Sequence, residues 1–535
     1  MFTAISARAT RRVAALLALA ATPAPAPVPT ASGAPLAPRP RRATPAVALI
    51  APLLLAAGLA GAQPAVSRLP GGTAQAPLAA AGLADPGMAL PPEVEAALAQ
   101  ARVPSDAVSF LVADADGTRA PRLAWRSQAP MNPASVMKLV TTFAGLDLLG
   151  PAYTWNTPVY IDGPVRGGTL QGNLYIRGSG DPKLVIERLW LLLRRVQAMG
   201  IERIGGDIVL DRSAFDTGEP DPGAFDGRPL KSYNAGADAL LVNYKSVVLR
   251  FVPDTAARVA RVSAEPPLAG VRIPASVPLS GKGCGNWRAQ LQADFQPTAF
   301  GFAGTLPADC GEMQWPLAYP DPPGFAARAI GGLWAEMGGS LAGTVRDGQV
   351  PQGLAQAFEL QSPPLAEVVR DINKYSNNVM ADQLFLTLGL QQRRRGTFGA
   401  ARGTVRQWWN ERVGTGEGGP VVDNGSGLSL EGRVTAAGLA RMLQVAWHSP
   451  VMSELMASLP VAGVDGTLRR RNLRSGATAH LKSGTMPEYG VAALAGFVDG
   501  ASGRRYVLVA LANHANAAAA RGAFDALVDW TATDQ

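Results

Sequence analysis

A serine and a lysine three positions apart, Ser135 and Lys138, are the residues of this chain best suited to begin nucleophilic chemistry. Residues three apart on a helix face the same side, so the hydroxyl and the amine can meet without help from a distant segment. A neutral amine there can take the hydroxyl proton, which frees the oxygen to attack a carbonyl. Pro133 suits a first helical turn, and an apolar run at 139–149 continues it. The pattern predicts a buried helix that carries a nucleophile at its N-terminal end, or else a capping serine with a chance lysine.

Two further short motifs follow along the chain. Ser376-Asn377-Asn378 lies between two stretches of helical periodicity, and Lys482-Ser483-Gly484-Thr485 follows a strand-like run. Ser135 opens the only S-x-x-K and Lys482 the only K-S/T-G, whereas a second S-x-N occurs at 232–234. The triple S-x-x-K, S-x-N, K-S/T-G is the signature of penicillin-recognising serine acyltransferases, and it favours the nucleophile over the capping serine. No G-x-S-x-G elbow occurs in the chain, which disfavours an α/β-hydrolase.

The motif residues have distinct expected roles in acyl transfer. Lys138 is the expected base for Ser135, but a lysine with a pKa of about 10.4 is a poor base near neutral pH. Its amine must therefore be buried or lie close to another cation, and Lys482 would supply that cation. Ser376 is expected to relay a proton to the leaving amine, and Asn378 to orient the substrate amide and the lysines.

The residues after Lys482 are expected to hold the substrate. Ser483 and Thr485 carry hydroxyls, and Gly484 permits close approach of a substrate backbone. The N–H groups of Ser135 and Thr485 would form an oxyanion hole. The sequence thus predicts catalytic residues on three motifs and a substrate-binding strand at the third.

The chain resembles the D-alanyl-D-alanine carboxypeptidases and endopeptidases of the penicillin-binding protein 4 type over nearly all of its length beyond the N-terminal segment. Besides the triple, three stretches carry the resemblance: 178–182, 423–429 and 459–468. The spacing of the motifs carries the resemblance too, with 241 residues from Ser135 to Ser376 and 106 residues from Ser376 to Lys482. The departures are small and include Ser483, where Thr is usual, and Asn424, which is added within the usual D-G-S-G-L-S.

This resemblance implies an α+β fold: a penicillin-recognising transpeptidase-like domain, with an antiparallel sheet and helices, and a large mainly-β insertion between the first and second motifs. It implies a periplasmic serine D-alanyl-D-alanine carboxypeptidase that acts on peptidoglycan stem peptides through an acyl-enzyme on Ser135, needs no cofactor and is inhibited by β-lactams. Whether cross-links are also cleaved stays open. The alternatives are a β-lactamase or esterase of the same superfamily and a non-catalytic wall-binding protein.

The resemblance also extends to a stretch at 224–233. In the family, an acidic and an aromatic residue of this stretch contact the diamino acid of the stem peptide. Asp226 would supply a counter-charge for the free amino end, and Tyr233 an apolar wall. The competing interpretation is an exposed loop aspartate beside a packed tyrosine.

The chain of 535 residues is long enough for two or three structural units. Strand patterns occur at 108–125 and again at 492–512, with helical patterns between them, so one antiparallel sheet could combine both ends of the chain. Short strand-like runs fill 151–360, interrupted by one helix at 182–199. We predict four segments: a targeting segment at 1–62, a first part of the main domain at 63–150, an insertion of two sub-domains at 151–360 with a β unit at about 245–320, and a second part at 361–535.

Residues 1–62 have the character of an export signal. They contain six Arg and no acidic residue, and an apolar run at 46–59 precedes Ala60-Gly61-Ala62, a small-residue cleavage pattern. We expect cleavage after Ala62, although an earlier candidate begins at Arg11 and a retained anchor is an alternative. Without the six arginines, the formal charge of +8 falls to +2, which gives no reason to expect nucleic-acid binding.

The cysteines and histidines of the chain bear on whether it has a disulfide or a metal site. Cys284 and Cys310 are the only cysteines, and an even pair in an exported protein predicts a disulfide. The three histidines show no metal-ligand spacing with each other or with the cysteines, so no metal is expected. Nothing in the sequence predicts an oligomeric state.

Overall fold

The computed structural model describes residues 88–218, 221–281, 283–414 and 419–534. The predicted export signal at 1–62, with its cleavage site after Ala62, lies outside these residues. Within the described ranges, no helix combines the length and the apolar character that crossing a membrane requires.

The described chain begins with two helices and two strands: α1 (Pro92–Ala101), β1 (Val108–Asp114), β2 (Leu123–Trp125) and α2 (Lys138–Leu149). Many short strands and a few helices follow: β3 (Asn156–Ile161), β4 (Val165–Arg166), β5 (Thr169–Leu170), β6 (Leu174–Arg177), α3 (Ile186–Ala198), β7 (Arg203–Ile204), β8 (Ile208–Asp211), β9 (Ser246–Asp254), β10 (Val259–Glu265), β11 (Ser276–Ser280), α4 (Trp287–Leu291), β12 (Ala293–Gln296), β13 (Ala299–Phe302), β14 (Leu306–Pro307), β15 (Met313–Ala318), α5 (Phe325–Glu336), β16 (Ser340–Leu341), β17 (Val345–Asp347) and β18 (Gln356–Gln361). The last part is mostly helical before three long strands: α6 (Leu365–Tyr375), α7 (Asn378–Arg393), α8 (Phe398–Arg412), α9 (Ala436–Trp447), α10 (Met452–Ser458), β19 (Ala479–Met486), β20 (Val491–Asp499), β21 (Arg505–Asn513) and α11 (Arg521–Ala532).

The central sheet joins both ends of the described chain, as the strand patterns predicted. Its order is β19-β20-β21-β1-β2, and all neighbouring strands are antiparallel. The first strand pairs with the last over its whole length, from Val108 opposite Ala512 to Asp114 opposite Tyr506. The strand that carries Lys482, β19, therefore lies at the edge of this sheet.

Apolar side chains cover both faces of the central sheet because successive residues of a strand point to opposite sides. Leu111 and Ala113 belong to a core shared with α2 and α6–α9, whereas Phe110 and Val112 belong to a second core shared with α1 and α11. The sheet is thus sandwiched between two helical layers, and α2 is buried in the first of them.

The strands between β3 and β18 form separate sheets that share another apolar core. One sheet has the order β14-β11-β10-β9-β15, and another has the order β17-β8-β6-β3-β18. Cys284 and Cys310 are joined by a disulfide in this part of the chain. The domain boundaries drawn from the sequence, including the β unit at about 245–320, stay a prediction.

The expectation of a single helix within 151–360 was wrong. Besides α3, the described residues there include α4 and the twelve-residue α5. Adjacent Gly331 and Gly332 lower the intrinsic helix propensity of α5 and hide it in the sequence. They have a packing reason, because a Cβ at Gly332 would lie 2.3 Å from Pro267 O.

Candidate active site

Ser135 lies in a tight turn that the central sheet and α2 hold between them. Residues Ala134–Met137 form a 3₁₀ turn, and α2 begins only at Lys138, so the predicted helix starts later than Pro133 suggested. In a 3₁₀ turn, side chains three apart eclipse each other, which still aligns serine and lysine. Ala134 has a left-handed φ of 45°, a strained conformation for a residue other than glycine, and its N–H donates to Asn132 Oδ1 over 2.9 Å.

The Lys138 amine is completely buried and makes three hydrogen bonds. It donates to Ser135 Oγ over 2.9 Å, to Asn378 Oδ1 over 2.6 Å and to the carbonyl oxygen of Ser426 over 2.6 Å. Burial lowers the pKa of Lys138 well below its ordinary value, and the carboxylate of Asp382 opposes this shift. A neutral amine in contact with a serine hydroxyl can act as a base.

The second motif occupies the sharp break between α6 and α7. Ser376 follows the last residue of α6 with a left-handed φ of 55°. The Asn377 side chain caps α7 by accepting from the N–H of Met380 over 3.1 Å. This break turns the Ser376 hydroxyl towards the third motif, and Asn378, the first residue of α7, towards Lys138.

Lys482 is the second fully buried lysine of the site. Its amine donates to Ser376 Oγ over 2.9 Å and to the carbonyl oxygen of Ser483 over 2.6 Å. Burial lowers the pKa of Lys482, and the nearby Lys138 ammonium lowers it further. The Lys138 ammonium thus disfavours the charged form of Lys482, whereas burial is what lowers the pKa of Lys138 itself. The expected effect of Lys482 on that pKa stays a prediction.

Gly484 brings β19 against the nucleophile turn. A Cβ at this position would lie 2.6 Å from Pro133 O and 2.9 Å from the backbone nitrogen of Ser135. Any larger residue would push the strand away from the serine. Ser483 and Thr485, on either side of this glycine, line the same cleft as Ser135.

This cleft has a volume of about 700 Å³, and Asp226 and Tyr233 line it as well. The Tyr233 hydroxyl donates to Asp226 Oδ2 over 2.7 Å, and the Tyr233 carbonyl accepts from Asn378 Nδ2 over 3.1 Å. Burial acts to raise the pKa of Asp226, but hydrogen bonds led by that from Tyr233 outweigh it and hold the pKa below its ordinary value. The structure thus brings an ionised carboxylate to the cleft that holds the serine.

Two contributors to the site were missed in the sequence. Asp382 lies one turn after Asn378 on α7, a spacing that could have drawn attention to it. Burial raises the pKa of Asp382, opposed by the Lys138 ammonium and by N–H groups of Gly425 and Ser426. The other is the Ser426 carbonyl, because a backbone acceptor leaves no signal in the residue type.

The added Asn424 organises the loop that supplies this carbonyl. Its Oδ1 accepts from the backbone N–H of Ser426 over 3.2 Å and from that of Gly427 over 2.8 Å, and its Nδ2 donates to Leu428 O over 3.0 Å. The residue that departs from the usual motif therefore stabilises the loop. Across the described parts of the chain, no group of three or more His, Cys, Asp or Glu side chains is placed to hold a metal ion.

Comparison with known proteins identifies relatives over most of the chain. Residues 90–534 match the profile of the D-Ala-D-Ala carboxypeptidase 3 (S13) family. A D-alanyl-D-alanine carboxypeptidase from Actinomadura sp. (strain R39) is 32% identical over 399 residues, which cover 69% of this chain and 71% of the relative. The D-alanyl-D-alanine carboxypeptidase DacB of Haemophilus influenzae is 25% identical over 398 residues, or 72% of this chain and 80% of the relative.

A solved structure shares the fold. The crystal structure of penicillin binding protein 4 (dacB) from Haemophilus influenzae superimposes with a TM-score of 0.63 at 22% identity, covering 81% of this chain and 99% of that one. This likeness confirms the predicted α+β fold class. The chain belongs to the D-Ala-D-Ala carboxypeptidase 3 (S13) family and is a serine-type D-Ala-D-Ala carboxypeptidase.

Proposed function

We propose that this carboxypeptidase removes the terminal D-alanine from peptidoglycan stem peptides through an acyl-enzyme on Ser135. The observation that supports this most is the fully buried Lys138 amine, which lies 2.9 Å from Ser135 Oγ. A second pair, the Lys482 amine and Ser376 Oγ, is also 2.9 Å apart, and Ser376 lines the same cleft as Ser135. Together the four side chains can accept, hold and return one proton.

In acylation, neutral Lys138 takes the proton of Ser135 while Oγ attacks the carbonyl carbon of the penultimate residue. The C–N bond to the terminal D-alanine then breaks, and the leaving nitrogen takes up a proton that passes from Lys138 through the Ser376 hydroxyl. Lys482 keeps that hydroxyl in place, and Asn378 Oδ1 fixes the Lys138 amine over 2.6 Å. The N–H groups of Ser135 and Thr485 are the proposed donors to the oxyanion.

Deacylation repeats these steps with water as the nucleophile. Lys138 takes a proton from the water, the hydroxide oxygen attacks the ester carbonyl, and Ser135 Oγ leaves and regains a proton. A β-lactam presents a strained amide and a carboxylate to the same groups, so β-lactams would acylate Ser135 as inhibitors.

Turnover of a diacyl-D-Ala-D-Ala peptide is the experiment that tests this function. We expect release of one D-alanine per peptide, blocked by prior treatment with penicillin. Rapid hydrolysis of penicillin without peptide turnover would instead indicate a β-lactamase, and binding without either reaction a wall-binding protein. A cross-linked muropeptide as a second substrate separates carboxypeptidase from endopeptidase action.

Export to the periplasm is part of the same proposal. The support is the arginine-rich start of the chain, the apolar run at 46–59 and the small residues that end at Ala62. Peptidoglycan lies outside the cytoplasmic membrane, so an enzyme with this substrate must cross that membrane.

Asp226 is the proposed counter-charge for the free amino group of the stem-peptide diamino acid. Its carboxylate lines the cleft and accepts from the Tyr233 hydroxyl over 2.7 Å and from Asn234 Nδ2 over 2.7 Å. These donors keep it ionised and oriented. The Tyr233 ring would then form the wall beside the amino group.

Asp226→Asn is expected to lower kcat/KM about ten- to hundred-fold on peptides that carry the free amino group, because a charge-assisted hydrogen bond is worth about 1.5 to 3 kcal/mol. Acylation by penicillin, which lacks that group, should be nearly unchanged. Steady-state kinetics on matched peptides with free and acetylated amino groups measures the difference. Asp221→Asn, in the same loop but with its carboxylate on the Gly223 N–H, is the control. Equal losses on both substrates would contradict the assignment.

Asp382 is proposed to tune the proton affinity of Lys138. Its carboxylate favours the ammonium form, so it keeps the pKa of Lys138 higher than burial alone would. Only the neutral amine can act as a base, and kcat/KM therefore falls as the pH drops through this pKa.

Asp382→Asn should shift the acidic limb of the kcat/KM profile to lower pH. Removing the anion destabilises the ammonium and lowers the pKa of Lys138 further, so the neutral amine persists to lower pH. The pH dependence of peptide hydrolysis measures this shift, and Asp382→Glu should keep the wild-type limb. A limb that stays in place or moves to higher pH would contradict this role.

A further inference from the structure

The loop 460–468 is pressed against the active site, although the acylation steps above give it no role. Its backbone pairs with the beginning of β19: the N–H of Leu481 donates to Pro460 O over 2.9 Å, and the N–H of Ala462 donates to Ala479 O over 3.0 Å. The loop is thereby held in register with the strand that carries the third motif.

An ion pair fixes the other side of this loop. Lys374 Nζ lies 2.6 Å from Asp465 Oδ2, and the Lys374 side chain is only 7% exposed. The second oxygen of Asp465 accepts from the N–H of Val461 over 2.9 Å. Gly466 packs directly on α6, since a Cβ there would lie 2.6 Å from Lys374 O. Because Lys374 is two residues before Ser376, the loop is tied to two motifs at once.

This double attachment brings Thr467 into the cleft. Thr467 Oγ1 lies 2.9 Å from Ser483 Oγ, and both residues line the same cleft as Ser135 and Thr485. A hydroxyl has one proton to donate and can accept in return. If the Thr467 hydroxyl donates to Ser483 Oγ, the Ser483 hydroxyl can donate its own proton to another group in the cleft.

Ser483 gains more from such a partner than a threonine would. A threonine at this position would have a β-branch, which restricts χ1. A serine hydroxyl moves among three staggered positions at lower cost. The contact with Thr467 restrains the serine in the way that the missing methyl group would have done.

The charges at this end of the cleft suit an anion. Arg471 and Arg521 both line it, and they share the single carboxylate of Asp525. The Arg521 side chain keeps 59% of its surface exposed. The exposed Arg521 guanidinium thus adds positive charge to the cleft that also holds the hydroxyls of Thr467, Ser483 and Thr485. The anion that a D-alanyl-D-alanine substrate brings is its terminal carboxylate.

We infer that Thr467 is a positioning residue for the terminal carboxylate of the substrate, acting by orienting the Ser483 hydroxyl towards it. The inference rests on the proposed function, because the carboxylate belongs to the D-alanine that leaves. It adds a specificity determinant outside the three motifs, held in place by the ion pair of Lys374 and Asp465.

The test compares acylation by a penicillin with acylation by its methyl ester, which lacks the charge. In Thr467→Val, which keeps the shape but loses the hydroxyl, the second-order rate constant for the acid should fall about ten-fold and that for the ester should barely change. Thr467→Ser should keep the wild-type ratio of the two rate constants. The double variant Thr467→Val, Ser483→Thr should recover most of this ratio, because the β-branched residue restrains its own hydroxyl.

An unchanged acid-to-ester ratio in Thr467→Val, or a double variant as impaired as Thr467→Val, would overturn the inference. Equal losses on acid and ester would also overturn it and would make Thr467 a purely structural residue. Because the readout is acylation, it stands apart from the proposed function, whose failure would appear as wild-type enzyme that releases no D-alanine.

Discussion

Ser135→Ala is expected to abolish covalent labelling by penicillin while the protein stays folded. Oγ is the atom that would open the β-lactam ring, and alanine offers no replacement, so the acylation rate should fall by about 10⁴-fold or more. Folding should survive, because Lys138 retains Asn378 Oδ1 and the Ser426 carbonyl as acceptors. The lost hydrogen bond is worth only about 0.5 to 1.5 kcal/mol. Intact-mass spectrometry after incubation with penicillin measures the adduct.

A second serine provides the matched control for this experiment. Ser232 begins the other S-x-N of the chain, at 232–234, and is exposed. Ser232→Ala should label as fully as the wild type. An adduct that persists in Ser135→Ala, mapped by peptide digestion to another residue, would refute the assignment of the nucleophile.

Lys138→Arg is expected to lose acylation by about 10² to 10⁴-fold, although it keeps the positive charge. A guanidinium does not give up its proton in a protein, so it cannot act as a base for Ser135. Stopped-flow measurement of the acylation rate, with circular dichroism to check the fold, gives the result. Raising the pH should not restore the rate.

Lys245→Arg is the control for the size of the arginine side chain. Lys245 is also buried, 3.0 Å from Asp238, but it lies outside the residues that line the cleft. Lys245 takes no part in the proposed acylation steps, so acylation by the folded variant should stay near the wild-type rate. Near-normal acylation in Lys138→Arg would show that another group is the base.

The fold was predictable wherever the residue pattern is local. The continuous apolar run at 110–113 in β1 indicates a strand covered on both faces, and similar runs in β20 and β21 suggest its partners. Helix α5 was not predicted because Gly331 and Gly332 make a packing contact that only the folded chain reveals. Tertiary packing there outweighs the intrinsic propensity.

The candidate site divides in the same way. The contact of Ser135 with Lys138, over 2.9 Å, was predictable because the two residues lie three positions apart. The contact of Ser376 with Lys482, also over 2.9 Å, joins two motifs that are 106 residues apart, and no local spacing predicts it. Asp382 has a suggestive spacing from the second motif, but its effect on Lys138 depends on burial that only the folded chain shows. The chemical roles of all these residues stay predictions until the variants are measured.

The order of strands in the central sheet has a consequence for biosynthesis. All three motifs are complete once the chain reaches Thr485, yet α2 packs on a sheet face that β1 forms together with β20 and β21. Val108 pairs with Ala512, so the pairing of β1 with β21 closes most of the polypeptide into one loop. Only then is the sheet face complete on which α2 packs and which positions Ser135. Such long-range pairing forms slowly, and it cannot form at all on a chain that is still short of its last strand. The growing polypeptide therefore contains every motif residue before β21 is available to complete the sheet. We expect the active site to assemble only after β21 has paired with β1.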